Sequence, residues 1–191
     1  MAEEHSTRGM EIGTAVHEVL AKVSPGLSGE PLLKQLRELV ELEGVADDDG
    51  VILAMARATA ETDLFRRLAS RPHWRAAPIW CPLPGGRLLN GVLDLVYRDE
   101  AGAWHIVDYK TDRAEGPDGR ERLLQRYRNQ LLAYADAFRR TTGHPVASAS
   151  LLLCSEAAAG ADRAAACLVG WEAEELEERL TQFAAELERR G

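Results

Sequence analysis

Two periodicities divide the chain into predicted helices and strands. Apolar residues recur at helical spacing in segments that predict amphipathic helices at 10–23, 31–42, 50–69, 120–140 and 172–190. The aspartate-rich loop before the third of these helices predicts a helix N-terminus, where the helix dipole favours acidic residues. The polar, acidic start predicts a disordered tail over residues 1–9. A single domain is expected over residues 10–191, because the length suits one hydrophobic core.

Short runs of β-branched, aromatic and other apolar residues lie between these helices and predict strands. They cover residues 73–83, 146–154 and 167–171, together with a β-hairpin at 91–110. The hairpin turn is predicted at Asp99-Glu100-Ala101-Gly102, which supplies the residue types that turns favour. The pattern predicts an α/β fold in which a small mixed sheet is flanked by helices.

The hairpin carries two acidic residues among valines and leucines. If its turn centres near Ala101, Asp94 and Asp108 lie roughly opposite each other, and like charges so placed repel. A divalent cation would offset the repulsion, since Mg²⁺ prefers one or two carboxylates with water and phosphate oxygens. Lys110 is expected on the same face as Asp108, because side chains alternate along a strand. This trio suits metal-assisted hydrolysis of a phosphodiester.

These residues also allow structural interpretations. An Asp-x-Lys pair at a strand end is often a surface ion pair, and Asp94 could face water at a sheet edge. His17 lies beside the apolar stripe of its helix and could be a partly buried histidine with an ordinary hydrogen bond. The helix at 120–140, which carries Tyr127, Gln130 and Tyr134 on one face, could be amphipathic with a solvated basic rim.

The order of these motifs resembles the RecB-type branch of the PD-(D/E)XK nucleases. The motifs are Gly13-x-x-x-His17, Gly91-Val-Leu-Asp94, Asp108-Tyr-Lys110-Thr and Gln130-x-x-x-Tyr134. The resemblance runs from about Gly13 to Glu156 and is nearest to the C-terminal nuclease domain of AddA- and RecB-like helicase–nucleases. One departure lies at Arg75-Ala76-Ala77-Pro78, where such relatives often carry a glutamate. The resemblance implies a restriction-endonuclease-like core.

The resemblance also implies roles for individual residues. The implied ligands of Mg²⁺ or Mn²⁺ are His17, Asp94, Asp108 and the backbone carbonyl of Tyr109. Lys110 is the implied catalytic lysine, and Gln130 and Tyr134 complete the site beside the DNA. A histidine ligand suits Mn²⁺ better than Mg²⁺. We further expect Arg113, Arg126 and Tyr127 to contact DNA together with Tyr134.

Charge and composition narrow the expected partners. The net charge is −8, but residues 110–140 hold eight basic and five acidic side chains, so the positive region coincides with the candidate site. Because the chain as a whole is negatively charged, we expect weak DNA affinity. A helicase partner or parent chain is then expected to deliver the strand. No Gly-x-x-x-x-Gly-Lys-Ser/Thr loop occurs, so no nucleotide cofactor is expected.

Three scattered cysteines, Cys81, Cys154 and Cys167, predict reduced thiols in the cytoplasm and no iron–sulfur cluster. No secretory signal or apolar run of membrane-spanning length is present in the sequence, so no membrane partner is expected.

We expect a Mg²⁺- or Mn²⁺-dependent deoxyribonuclease that acts in DNA end processing and recombinational repair with a helicase. An exonuclease is expected rather than an endonuclease, and a 5′-phosphate product follows if the family rule holds. The alternative is a catalytically inactive nuclease-fold module with a DNA-binding or structural role in a helicase–nuclease complex. RNA or structured junctions as substrates, and a free-standing protein or an excised domain, stay open.

Overall fold

The computed structural model describes residues 2–47, 49–83, 87–159 and 168–189. In chain order its elements are α1 (Ala2–Lys22), α2 (Gly29–Glu43), α3 (Val51–Ala60), α4 (Asp63–Arg67), a 3-10 turn (Leu68–Ser70), β1 (His73–Leu83), β2 (Arg87–Arg98), β3 (Trp104–Lys110), α5 (Gly119–Thr142), β4 (Val146–Leu153), α6 (Cys154–Ala158), β5 (Leu168–Glu172) and α7 (Ala173–Arg189). The elements are those of the predicted α/β fold, a small mixed sheet flanked by helices.

The chain divides into two compact units. The helical unit consists of residues 1–70, 109–114 and 152–168, and the sheet unit of residues 71–108, 115–151 and 169–191. This division into units does not test the single domain predicted from the sequence, which stays a prediction.

In the helical unit, α1 packs against α2 and α3, and α3 packs against α6. The first helix differs from expectation, because α1 begins at Ala2 and continues through residues predicted as a disordered tail. Alanine and glutamate, which dominate residues 2–4, are strong helix formers, and acidic residues suit a helix N-terminus. No proline interrupts the segment. The local sequence is therefore compatible with a continuous helix.

The helix predicted over 50–69 is divided into α3 and α4. Thr62 begins the second piece, because its hydroxyl accepts a hydrogen bond from the Phe65 amide at 3.3 Å. Asp47 occupies the N-terminal side of α3, where its carboxylate accepts from the amides of Ile52 and Leu53 at 2.8 and 3.0 Å. The prediction that the aspartate-rich loop forms a helix N-terminus is confirmed for Asp47.

The sheet unit carries the five-stranded sheet, whose order is β1-β2-β3-β4-β5. Strand β2 is antiparallel to both β1 and β3, as the predicted hairpin requires. Helix α5 packs against β1, β2 and α7, and its core face is the predicted one. The buried residues of that face include Leu124, Leu131, Ala135 and Phe138.

The boundaries around α6 differ from the predicted ones. The strand predicted over 146–154 ends at Leu153, because Cys154 begins α6. The small residues of segment 157–166 predict a loop, which therefore starts inside α6, and residues 160–167, with Cys167, lie outside the described residues. A proline and two glycines at Pro84, Gly85 and Gly86 predict a turn, and these residues also lie outside the described part. Within the described part of the chain, no helix combines the length and the apolarity that crossing a membrane requires.

Candidate active site

The two predicted metal-ligating aspartates directly follow the paired part of the β-hairpin. The recorded pairs run from Arg98 opposite Trp104 to Leu95 opposite Val107. One step further along the same register lie Asp94 on β2 and Asp108 on β3. Two acidic residues therefore follow the last apolar pair of this ladder, where like charges destabilise a sheet unless they are neutralised.

Asp108 is buried, with 2% of its surface exposed, and it follows the apolar residues Ile106 and Val107 on β3. Its Oδ1 accepts a hydrogen bond at 3.3 Å from Nε2 of Gln130 on α5. The same Nε2 lies 3.3 Å from the hydroxyl oxygen of Tyr134, one helical turn further along. The Gln130 amide thus joins the strand carboxylate to the tyrosine.

Gly91 explains how Tyr134 approaches β2. A Cβ atom built on Gly91 would lie 2.9 Å from Tyr134 Cε1 and 3.1 Å from its hydroxyl oxygen. Any larger residue would therefore collide with the ring. The glycine of the Gly91-Val-Leu-Asp94 motif makes room for a residue of the Gln130-x-x-x-Tyr134 motif, so these two motifs meet within the sheet unit.

The other two motifs meet within the helical unit. The His17 ring of α1 contacts the buried Tyr109 ring edge-on, with 5.8 Å between the ring centroids. One turn earlier on α1, a Cβ on Gly13 would lie 3.3 Å from the Thr111 hydroxyl oxygen, a tight contact. The missing side chain of Gly13 thus lets α1 approach the end of β3. Lys110, the last residue of β3, is half-buried in this segment.

The predicted DNA-contacting residues occupy both units. The guanidinium of the exposed Arg126 lies 5.2 Å from the centre of the Tyr127 ring in the sheet unit. Other arginines of α5 have protein partners: Arg122 donates to the Glu115 carbonyl, and Arg128 pairs with Glu186 at 3.7 Å. In the helical unit, the exposed Arg113 lines a cavity of about 320 Å³, whose other lining residues include Asp49, Ser155 and Glu156.

Sequence reasoning missed a second polar cluster at the turn end of β3. His105 Nδ1 lies 2.8 Å from the Ser148 hydroxyl, and His105 Nε2 lies 3.1 Å from Asp99 Oδ2. Asp99 Oδ1 also accepts from the Ala103 amide at 2.8 Å, and this bond, with that to His105, lowers the pKa of the Asp99 carboxyl. The sequence held one signal, an aspartate at the first position of a predicted turn.

A comparison with protein-family models identifies the superfamily of the chain. The model described as "PD-(D/E)XK nuclease superfamily" matches residues 2–190. The chain belongs to the PD-(D/E)XK nuclease superfamily. The resemblance drawn from the four motifs, and the fold class that it implied, are thereby confirmed.

The relatives in this superfamily are much longer proteins. The chain is 31% identical over 160 residues to an ATP-dependent helicase/nuclease subunit of Bacillus cereus (strain AH820), a match that covers 71% of this chain and 13% of the relative. The helicase/nuclease subunit of the same name from Lysinibacillus sphaericus (strain C3-41) is 26% identical over 149 residues, which cover 71% of this chain and 12% of the relative. The chain therefore matches only a small part of the length of these relatives.

Nucleases of the PD-(D/E)XK superfamily generally use a divalent cation. The side chains of this site would therefore need donor atoms that suit such an ion. In the described residues, no three His, Cys, Asp or Glu side chains form a group that could hold a metal ion. Mg²⁺, however, commonly binds through one or two carboxylates, with waters and phosphate oxygens as its remaining ligands. The carboxylates of Asp94 and Asp108, which follow the last pair of the β2–β3 ladder, are hard oxygen donors of this kind. The donor chemistry of the sheet unit therefore fits Mg²⁺.

Proposed function

We propose that the protein is a divalent-metal-dependent deoxyribonuclease that hydrolyses phosphodiester bonds during DNA end processing, together with a helicase. The observation that carries the proposal is the Gln130 amide, which contacts both the buried Asp108 carboxylate and the Tyr134 hydroxyl. Superfamily membership and the helicase/nuclease names of the relatives support it. We extend those names to this chain as part of the proposal.

In this proposal, His17, Asp94, Asp108 and the Tyr109 backbone carbonyl hold Mg²⁺ or Mn²⁺. The chemistry that the cation supplies when bound is Lewis acidity and charge neutralisation at the phosphate. The Gln130 amide fixes the orientation of the Asp108 carboxylate by donating to its Oδ1. An amide is suited to this task because it is neutral and its NH₂ group can donate two hydrogen bonds.

Lys110 is the proposed catalytic lysine. Its ammonium group would orient the attacking water and offset the negative charge that develops on the phosphate. An in-line displacement would leave a 5′-phosphate on the product. Release of nucleotides from a DNA end, rather than internal cleavage, is the mode that we propose.

DNA contact is assigned to side chains around this centre. Tyr134 would reach the DNA backbone through its hydroxyl, and Arg126, Tyr127 and Arg113 would contact neighbouring phosphates and sugars. Residues 110–140 provide a local excess of three positive charges, whereas the whole chain carries −8. Affinity for DNA should therefore be weak and salt-dependent, and a helicase portion or partner would deliver the strand.

The test is digestion of end-labelled single- and double-stranded DNA in Mg²⁺, in Mn²⁺ and in EDTA. We expect cleavage with either cation and none in EDTA, and the size of the first labelled products separates exonuclease from endonuclease action. Lys110→Ala should abolish cleavage without changing the melting temperature. Lys34→Ala, which removes an exposed lysine of α2, is the matched control and should cleave normally. Normal digestion by the Lys110 variant would eliminate this site.

A catalytically inactive module with a DNA-binding or structural role is the second candidate. It is favoured by one feature of the sequence, the segment Arg75-Ala76-Ala77-Pro78 at a place where relatives with these motifs often carry a glutamate. Calorimetric titration with Mn²⁺ separates the two candidates. A nuclease should show a site that is lost in Asp94→Asn, whereas an inactive module should show no binding that depends on Asp94.

A further inference from the structure

Ala76 on β1 has a backbone conformation that is unusual for a strand. Its φ is +49°, and it is the only non-glycine residue with a positive φ in the described part of the chain. The Cβ of an L-residue is crowded in this region, so such residues persist only where the surrounding structure imposes them. Outliers of this kind cluster at functional sites, which makes the neighbours of Ala76 relevant.

The residue that faces Ala76 across the ladder is Asp94. The register between β1 and β2 pairs Arg75 with Leu95 and then Ala77 with Leu93, and it passes over the two residues between. Pairing is regular on both sides of this gap. The one irregular position of β1 therefore coincides with the proposed metal ligand of β2.

The pairs on either side of the gap show what the irregularity does. On one side, Trp74 and Val96 are paired, and both line a groove of about 310 Å³ together with Phe138 of α5. On the other side, Ile79 is paired with Gly91, which lies against Tyr134 of α5. Both pairs thus face α5.

A regular strand could not produce this arrangement. Val96 and Gly91 are five residues apart, as are Trp74 and Ile79, and residues at odd separations point to opposite faces of a sheet. A change of face between these pairs accounts for the arrangement. The positive φ of Ala76 and the missing pair between Ala76 and Asp94 locate this change of face on the two strands.

We propose that Ala76 is a positioning residue, whose left-handed conformation turns β1 at the point opposite Asp94, so that β1 follows β2 where the face presented to α5 changes. The change of face lets Gly91 and Asp94, which are three residues apart, both serve the α5 side of the sheet. Gly91 can then receive Tyr134 while Asp94 stays on the side of Asp108, whose carboxylate contacts Gln130 of α5. The inference rests on the proposed function in one respect, that Asp94 binds the metal.

The test is a series of substitutions at Ala76 in the full chain, with Mn²⁺ affinity measured by calorimetry and folding by thermal melting. Glycine and asparagine tolerate positive φ, so Ala76→Gly and Ala76→Asn should keep wild-type affinity. Valine strongly disfavours it, so Ala76→Val should weaken Mn²⁺ binding about 10- to 100-fold, as loss of a ligand-orienting group does. High β-propensity alone would predict the opposite order.

Ala77→Val is the matched control, because it adds the same side chain at the next, regularly paired position of β1. It should keep wild-type Mn²⁺ affinity. If Ala76→Val does not fold, Ala76→Leu provides the same test with a side chain that is not β-branched. A folded Val or Leu variant that binds Mn²⁺ as tightly as the wild type would overturn the positioning role.

Failure of the inference can be distinguished from failure of the proposed function. If the wild-type chain shows no Mn²⁺ site that Asp94→Asn removes, the proposed function fails, and the positioning role, which needs that site, fails with it. If the site exists and depends on Asp94 but is equally tight throughout the Ala76 series, only the positioning role is refuted.

Discussion

The part of β3 in the sheet unit carries a polar cluster at each end, and the two clusters are built differently. At the turn end, His105 lies between Ser148 and Asp99 at 2.8 and 3.1 Å, and Asp99 also accepts the Ala103 amide at 2.8 Å. The His105 ring stacks on Tyr97, with 4.7 Å between the ring centroids. This cluster links a turn to two strands through short hydrogen bonds, as a stabilising network does.

At the other end, Asp108 is almost completely buried, and its contact with Gln130 is 3.3 Å long. The contact between Gln130 and Tyr134 has the same length. These distances lie beyond the usual range of strong hydrogen bonds. Burial of a carboxylate is costly, and a residue that only stabilised the fold would not need to be acidic at this position. The comparison suggests that the turn end stabilises the fold and that the Asp108 end serves function.

Neutralising one aspartate at each end of β3 tests the two assigned roles with the largest expected effect. Asp108→Asn should lower metal-dependent DNA cleavage by at least about 10²-fold, because it removes a ligand charge at the reacting phosphate. Its melting temperature should change little, because asparagine has the same shape and its side-chain oxygen can still accept from the Gln130 amide. Asp99→Asn, at the turn end, should cleave normally and melt at a lower temperature. Exchange of these two phenotypes would refute the assignment of the two ends.

Substitution of Gly91 tests whether the Asp108 end depends on packing. Gly91→Ala places a Cβ 2.9 Å from the Tyr134 ring, and overpacking of this kind costs about 1–3 kcal/mol of unfolding free energy. The cost should largely disappear when Tyr134→Ala is added, which a double-mutant cycle by chemical denaturation measures.

The control for this substitution is Gly9→Ala, because no atom lies within 4 Å of a Cβ at that helical position. It should leave stability unchanged or raise it by up to about 1 kcal/mol, the difference in helix propensity. Equal effects of the two substitutions would contradict a specific contact between Gly91 and Tyr134.

The Asp99 carboxyl at the turn end should make the stability of the fold depend on pH. The pKa of Asp99 is lowered in the folded protein by its bonds from Ala103 and His105, so the ionised form is favoured there. Its contribution to stability is therefore fully present above the ordinary pKa of an aspartate and is lost as the pH falls through the lowered value. The difference in melting temperature between wild type and Asp99→Asn should be large near pH 7 and shrink below about pH 4. A difference that grows in acid would have the wrong sign.

The smallest predicted effect concerns the arginines of α5. Arg126→Gln should weaken DNA binding modestly and lower the slope of log affinity against log salt by about one, because one phosphate contact is lost. Arg128→Gln should leave that slope nearly unchanged, since only 25% of the Arg128 side chain is exposed and Arg128 is not one of the proposed DNA-contacting residues. Fluorescence anisotropy at several salt concentrations measures both slopes. Equal slopes for the two variants would remove Arg126 from the proposed DNA contact.

The local features of this protein could be predicted from its amino-acid sequence alone. Alternation along 91–110 predicted the hairpin, and helical spacing placed Gln130 and Tyr134 on one face of α5 beside its buried stripe. The motif order predicted the superfamily, which the comparison with families confirmed. These features depend on residues that are near in sequence, so their periodicity is visible without a structure.

Tertiary structure decided how the motifs meet. The contact of Tyr134 with Gly91, and that of Gln130 with Asp108, join residues that are distant in sequence, which periodicity does not encode. Strand alternation places Gly91 and Asp94 on opposite faces, and in our proposal the left-handed Ala76 marks a change of face between them. Alanine has no local preference for that conformation. The surrounding tertiary structure must therefore impose it.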